Sequence, residues 1–299
     1  MRPAVDVVVP FRGSDEQRNR LCGELQQLDL HPGDTVVIVD NTPGPGQAAP
    51  VGPVRVARAA ERQSPGYARN QGAGLGEAEW IVFFDADVEP CKGVLGQLFD
   101  PPPSVGTGLL AGGVRDEPVG PDAPWAARYA YIRAAMSQDD TFRFGDWGFP
   151  KTANVAIRRA AFESLGGFRD DLRLAEDADL TYRLRAAGWG IERREDAAVV
   201  HRSRQGLLSF IHQKAVHGSG CAWLARHYPG AFPARGRVGL TWWALRTAAG
   251  GVLDAARHRD RDRAIWAVYE PIEALAFEFG RSVPNERPLP RRWRAFERL

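Results

Sequence analysis

The most constraining stretch of the sequence is WIVFFDADVEP, residues 80–90. Its first five residues are apolar and rich in β-branched and aromatic side chains, which predicts a strand buried on both faces of a parallel sheet. Asp85 and Asp87 follow this strand at once. Because two carboxylates so close together repel each other, a cation or hydrogen-bond donors are expected to compensate them. The stretch therefore predicts a buried strand that ends at a metal site.

Strands and helices alternate along the chain around this stretch. We predict strands at 5–10, 36–39 and 54–57 and helices at 15–28 and 67–75. Ser14 is the predicted cap of the first helix. Alternation at this pitch implies right-handed crossovers and a mostly parallel sheet. Asp40 and the Asp85/Asp87 pair then lie at the carboxyl ends of their strands, the edge where open α/β sheets bind ligands.

Beyond Gly113 the pattern is less regular. We predict a helix over 124–136, a polar and aromatic loop over 137–150, a strand over 152–157, a helix over 175–187 and a strand over 197–200 that delivers His201. Glu176, Asp177 and Asp179 lie in the first turn of their helix, where the helix macrodipole favours acids. From residue 206 onward the sequence predicts helices that are not part of the sheet.

The composition limits the class of protein. A chain of 299 residues with 44% hydrophobic content can bury a large core, and its net charge of +2 argues against a dedicated nucleic-acid binder. The three cysteines form no CxxC pair, so a disulfide framework or structural zinc site is not expected and a reducing cytoplasm fits. No apolar run reaches 18 residues, and the first eleven residues do not form a signal peptide. We expect a cytoplasmic protein without a transmembrane segment.

The C-terminal helices raise one alternative. Trp242, Trp243 and Trp266 are interpreted as helix-packing residues, with a membrane anchor as the other interpretation. The tail from Arg281 has a net charge of +4, which leaves peripheral contact with anionic lipid open.

The serial order of several motifs resembles the family 2 inverting glycosyltransferases of the GT-A fold. The matching segments are VVVPF, VVIVD, GYARNQGAGLGEAEWIVFFDAD, TANVAIRRAAFESLGGF, AEDADLTYRLRAAGW and VVHRS. They span roughly residues 4–205, and their order is more specific than any one of them. The resemblance implies an α/β GT-A fold with a Rossmann-like, mostly parallel sheet flanked by helices and a helical C-terminal extension.

The resemblance also implies roles for individual residues. Asp85 and Asp87 are similar to the DxD pair, with Asp87 as the direct metal ligand, Asp85 nearer the ribose or a metal-bound water, and His201 completing the metal shell. Pro10, Asp40 and Arg69 match nucleotide-sugar-binding positions. Asp177 matches the general base, with Glu176 in a supporting catalytic role. The acceptor-side candidates are Trp147, Lys151 and Asn154, for which core packing is the alternative.

The implied activity is a metal-dependent, inverting transfer of a hexosyl group. We expect Mn²⁺ or Mg²⁺ and a nucleotide-sugar donor, taken as a UDP-sugar, with a glycan, lipid or small metabolite as acceptor. The implied division is a nucleotide-sugar-binding half at 1–115, an acceptor-binding half at 116–205 and an extension at 206–299. Two alternatives stay open: a sugar-1-phosphate nucleotidyltransferase, or a non-catalytic module that binds nucleotides or glycans.

Overall fold

A computed structural model of the protein describes residues 2–44, 52–203, 205–291 and 293. The chain forms two compact units. The first comprises Met1–Arg115, Met136–Asp171 and Glu176–Arg202, and the second comprises Asp116–Ala135, Leu172–Ala175 and Ser203–Leu299. The division into three segments at residues 115 and 205 stays a prediction. Much of the predicted Pro/Gly loop after Asp40 lies outside the described residues.

An eight-stranded sheet forms the centre of the first unit. Its strands are β1 (Val5–Phe11), β2 (Thr35–Asp40), β3 (Val54–Arg58), β4 (Trp80–Phe84), β5 (Val88–Pro90), β6 (Thr107–Asp116), β7 (Asn154–Arg158) and β8 (Gly190–His201). Their order in space is β3-β2-β1-β4-β7-β6-β8-β5. Strands β3, β2, β1 and β4 are parallel, whereas β7 runs antiparallel to β4 and β6, and β5 runs antiparallel to β8. The predicted α/β class is confirmed.

Ten α-helices are described. They are α1 (Asp15–Leu25), α2 (Pro65–Ala73), α3 (Val94–Leu98), α4 (Trp125–Arg133), α5 (Asp139–Phe142), α6 (Arg159–Ser164), α7 (Glu176–Ala186), α8 (Leu207–His227), α9 (Arg237–His258) and α10 (Arg261–Gly280). Helix α1 begins at the predicted cap: Ser14 Oγ accepts a hydrogen bond from Gln17 N, and Gln17 Oε1 accepts one from Ser14 N. These reciprocal bonds satisfy two backbone donors at the start of the helix.

Strand β4 is buried along its whole length, as predicted. Successive side chains of a strand point to opposite faces of the sheet. Trp80, Val82 and Phe84 accordingly join the core cluster on one face, and Ile81 and Phe83 join the cluster on the other. Both faces of β4 are therefore covered, which is the physical reason for its uninterrupted apolar sequence.

Helices form the second unit. Tyr129 of α4 packs edge-on against Phe210 of α8, with ring centroids 5.7 Å apart, and its hydroxyl donates to Glu273 of α10 at 2.9 Å. The predicted packing role is confirmed for Trp266, whose ring lies 5.6 Å from Tyr129. It is wrong for Trp242, which is 69% exposed because it lies on the outer face of α9.

The hydropathy of the helices agrees with the absence of a long apolar run in the sequence. Among the residues that the structure describes, none of the helices combines the length and apolar character needed to cross a bilayer.

Candidate functional site

The acid at the end of β2 is surrounded by cations and donors. Asp40 is buried; its Oδ1 accepts from Thr42 N at 2.9 Å, and its Oδ2 lies 2.9 Å from Arg58 Nη1 and 3.5 Å from Arg18 Nη1. Burial by itself would raise the pKa of Asp40, but the Thr42 hydrogen bonds and the Arg58 guanidinium hold the pKa below its ordinary value. Asp40 is therefore an ionised carboxylate held at the carboxyl end of β2.

A second group of acids is joined by one arginine. Arg69 of α2 donates from Nη1 to Glu176 Oε1 and from Nη2 to Asp85 Oδ1, and both distances are 2.6 Å. Along the chain, Asp85 lies 16 residues from Arg69 and Glu176 lies 107 residues from it. Burial tends to lower the pKa of Arg69, but Asp85 and Glu176 outweigh burial and raise it, so the guanidinium stays charged. Arg69 thus connects the end of β4 to the start of α7.

Three contacts with Phe168 help to position Arg69. The next residue, Asn70, donates to Phe168 O at 2.8 Å and accepts from Phe168 N at 2.9 Å. The Arg69 guanidinium lies over the Phe168 ring, 5.5 Å from its centroid, in the geometry of a cation–π contact. The sequence did not single out Phe168. Its GGF context gave no sign that it would lie beside Arg69.

Asp177 has a carboxyl group with a strongly raised pKa. Burial raises its pKa to about 7, and repulsion from the Glu176 carboxylate acts in the same direction. The Ala178 backbone N–H donates to Asp177 Oδ1 at 2.8 Å and opposes this rise, as does the charge of Arg69. The pKa of Glu176 is also raised by its burial, against the opposing effect of Arg69. Near neutral pH, Asp177 can therefore both accept and release a proton.

Asp87, which directly precedes β5, lies beside His201, the last residue of β8. His201 Nε2 lies 3.3 Å from Asp87 Oδ2, and the Arg202 backbone N–H donates to Asp87 O at 2.9 Å. The Asp87 side chain is 55% exposed, so its carboxylate is open to a ligand. Antiparallel pairing of Val88 with His201 brings these two side chains together although they are far apart in the sequence.

The donor set at this place fits a divalent cation that keeps part of its shell for other ligands. One carboxylate oxygen and one imidazole nitrogen converge there, while Asp85 is turned toward Arg69. No cluster of three or more protein ligands is found among residues 2–44, 52–203, 205–291 and 293. Mg²⁺ commonly binds through one or two carboxylates together with phosphates and waters, and Mn²⁺ also accepts imidazole.

The acceptor-side candidates lie in different environments. Asn154 is fully buried, and its Nδ2 donates to Gly113 O at 2.9 Å and to Ala197 O at 2.6 Å, so it joins β7 to β6 and β8. These contacts correspond to the packing alternative for Asn154. Lys151 Nζ donates to Ser137 O at 2.6 Å, and the Trp147 ring packs edge-on against Tyr182 at 5.3 Å.

Several residues that matter at the site were not predicted. Arg18 and Arg58, which flank Asp40, gave no signal in a chain with 36 arginines. Pro10, which was predicted, pairs with Val39 near the carboxyl end of β1. Only the pairing of β1, β2 and β3 shows which of the arginines reach the strand ends.

Comparison with known proteins identifies the family of this chain. The family pattern described as Glycosyl transferase family 2 matches residues 7–166. Two curated relatives, the pre-mycofactocin glycosyltransferases of Mycobacterium tuberculosis strains CDC 1551 / Oshkosh and ATCC 25618 / H37Rv, are each 27% identical over 238 residues. The alignment covers 75% of this chain and 48% of each relative, so the chain spans about half the length of the curated relatives it matches.

The fold is also similar to that of a solved enzyme. The mannosyltransferase PcManGT from Pyrobaculum calidifontis, solved in complex with GDP-Man and Mn²⁺, superposes with a TM-score of 0.62 at 17% sequence identity. The match covers 93% of this chain and 86% of that one. The predicted GT-A fold is confirmed by this likeness.

Proposed function

Because the chain belongs to glycosyl transferase family 2, we propose that it moves a hexosyl group from a nucleoside diphosphate sugar to an acceptor hydroxyl, in one displacement that inverts the anomeric carbon. The observation that carries this proposal is the Arg69 bridge between Asp85 and Glu176, next to an Asp177 whose pKa is about 7. The bridge joins a strand-end acid on the donor side to the helix that carries a base.

Asp177 acts as the general base. Single displacement requires a group that takes the proton of the acceptor hydroxyl as its oxygen attacks the anomeric carbon. A general base works best when its pKa is near the working pH, and the pKa of about 7 for Asp177 meets that requirement. Glu176 supports the base, since its negative charge contributes to the raised pKa of Asp177. Arg69 holds Glu176 in place.

Asp87 and His201 are the residues that would hold Mn²⁺ or Mg²⁺, with Asp85 directed to the ribose or to a metal-bound water. A divalent ion at such a site neutralises the negative charge that develops on the departing diphosphate. Arg69 donates to Asp85 Oδ1 at 2.6 Å and so orients this carboxylate. Asp40 is proposed to line the nucleoside pocket together with Pro10.

The donor is proposed to be a UDP-sugar, and the acceptor a glycan, lipid or small metabolite. Because PcManGT was solved with GDP-Man, GDP-mannose is the competing donor in any test. Trp147 and Lys151 are the candidates for acceptor contact.

The test begins with thermal shifts for a panel of UDP-, GDP- and dTDP-sugars, with and without Mn²⁺. A bound donor raises the midpoint of unfolding by mass action. The donor that binds is then incubated with the protein alone, and proton NMR follows the anomer of the released sugar before it mutarotates. We expect a metal-dependent shift and an inverted first product. A first product with retained configuration would rule out single displacement.

A further inference from the structure

The outer face of α9 carries large apolar side chains. Val238 is 87% exposed, Trp242 69%, Leu245 63% and Leu253 72%, and Val252 is exposed too. These positions are four, three, seven and one residues apart, so at 3.6 residues per turn they fall on one side of the helix as a stripe. The stripe covers the 15 residue steps from Val238 to Leu253 of this helix, so at 1.5 Å per residue it is about 22 Å long. We call this set of five residues the α9 stripe.

The inner face of α9 is formed mostly by small residues. Leu240, Ala244 and Ala255 are buried, and a Cβ placed on Gly251 would come within 2.5 Å of Ala267 Cβ in α10. A surface helix normally turns its large apolar residues to the core and its polar residues to water. Helix α9 has the reverse distribution of side-chain size, so core packing does not explain the α9 stripe.

The positive charge of this region indicates what kind of partner the α9 stripe binds. Residues 206–299 carry 15 Lys and Arg against 8 Asp and Glu, a net charge of +7, whereas residues 1–205 have a net charge of −5. On α9 itself, the exposed Arg246 and Arg257 flank the α9 stripe along one side. The acid of this helix, Asp254, is paired with Arg263 at 2.7 Å. Two copies of such a surface would repel each other, whereas an anionic lipid surface would attract it.

We propose that the α9 stripe docks on an anionic bilayer surface, with α9 lying in the interface. The apolar side chains of the α9 stripe enter the boundary between head groups and acyl chains, and Arg246 and Arg257 contact lipid phosphates beside it. Amphipathic helices with Trp and Leu on one side and Arg at its border bind membranes in this way.

Co-sedimentation of the 299-residue chain with vesicles tests this proposal. Vesicles of phosphatidylcholine alone are compared with vesicles that contain about 30% phosphatidylglycerol, an anionic lipid that gives the surface a negative potential. We expect binding to the anionic vesicles that weakens with salt, because the surface potential is screened. Trp242→Ser with Leu245→Ser should lower the partition coefficient more than about tenfold. Arg246→Gln with Arg257→Gln should lower it about fivefold for each charge removed.

Two controls keep the result interpretable. Val105→Ser removes a single apolar side chain that is 95% exposed in the first unit, and it should leave vesicle binding unchanged. Circular dichroism and thermal unfolding check that each variant is folded. Equal binding of the wild-type protein and the Trp242/Leu245 variant would overturn the proposal. So would a wild-type protein that ignores vesicles but forms a dimer that the same variant breaks, as measured by analytical ultracentrifugation.

Discussion

Asp40 and Asp177 are the same residue type at two places in the first unit, but their pKa values move in opposite directions. Asp40 has two guanidinium groups and a backbone N–H around one carboxylate, and its pKa is lowered. Around Arg69 there are more carboxyl groups than cations. One guanidinium donates to both Asp85 and Glu176, and Asp177, next to Glu176, has a pKa of about 7. Burial and the neighbouring Glu176 charge raise the pKa of Asp177, whereas the Thr42 hydrogen bonds and Arg58 lower that of Asp40, so the surroundings decide which acid can act as a base.

The largest expected effect is on turnover. Asp177→Asn should lower the rate of donor turnover at pH 8 by about 10²–10⁴-fold, because the amide cannot accept the proton. The donor-induced thermal shift should stay the same, since Asp177 is not proposed to contact the nucleotide. Asp15→Asn makes the same chemical change in the first turn of α1, where the side chain is 84% exposed, and should have no effect. A variant that keeps wild-type turnover would show that Asp177 is not the base.

The next largest effect is on stability and concerns Arg69, which pairs with Glu176 and Asp85. Arg69→Met should lower the free energy of unfolding by about 3–5 kcal/mol, because the buried Glu176 loses its counter-charge. Urea denaturation measures this loss. The double variant Arg69→Met with Glu176→Gln should recover part of it, since no buried charge is then left unpaired. Arg62→Met, which breaks an exposed ion pair with Asp170, should cost less than about 1 kcal/mol.

The raised pKa of Asp177 also predicts a pH dependence of stability. The folded state holds a proton on Asp177 up to pH about 7, whereas the unfolded chain releases it near the ordinary value of 3.8. Stability should therefore fall as the pH rises through this window, and Asp177→Asn should remove the fall. The variant should be more stable than the wild type at pH 8 by up to about 4 kcal/mol and no more stable at pH 4. Equal pH dependence of the two proteins in urea titrations would contradict a raised pKa.

A smaller effect is expected for His201, whose imidazole lies beside the Asp87 carboxylate. His201→Gln should weaken Mn²⁺ binding in the presence of nucleoside diphosphate by about a hundredfold, given that even outer-shell partners of metal ligands contribute 10- to 100-fold, roughly. Isothermal titration with Mn²⁺ and UDP, and then GDP, measures the change. His31→Gln, at an exposed position, is the matched control. Unchanged Mn²⁺ affinity in the His201 variant would exclude His201 as a ligand.

The smallest expected effect is that of Asp40 on stability. A lowered pKa means that the stabilisation from Asp40 is present above the ordinary value of 3.8 and is lost as the pH falls through the folded-state value. Asp40→Asn should cost about 1–2 kcal/mol of unfolding free energy at pH 7 and much less below pH 3. This is the opposite slope to that of Asp177. Acid titrations of thermal unfolding can compare the two variants directly.

The sequence predicts a strand best when burial alone explains its composition. Strand β4 is buried on both faces, so its five apolar residues stand out. Strand β6 was not predicted because Gly108, Gly112 and Gly113 interrupt it. A Cβ on Gly113 would come within 2.3 Å of Glu195 O, so the glycine is required by a neighbouring strand that lies far away in the sequence.

The sequence by itself determined the fold class, the capped first helix and the strand that ends in Asp85 and Asp87, because local periodicity and capping depend on residues close together in the chain. Only the tertiary structure decided which charges meet. Arg69 reaches Glu176 across 107 residues, and burial around Asp177 outweighs the helix dipole that would favour its ionised form. Desolvation and long-range charge contacts are properties of the packed chain, and they determine which of its carboxylates is suited to be a base.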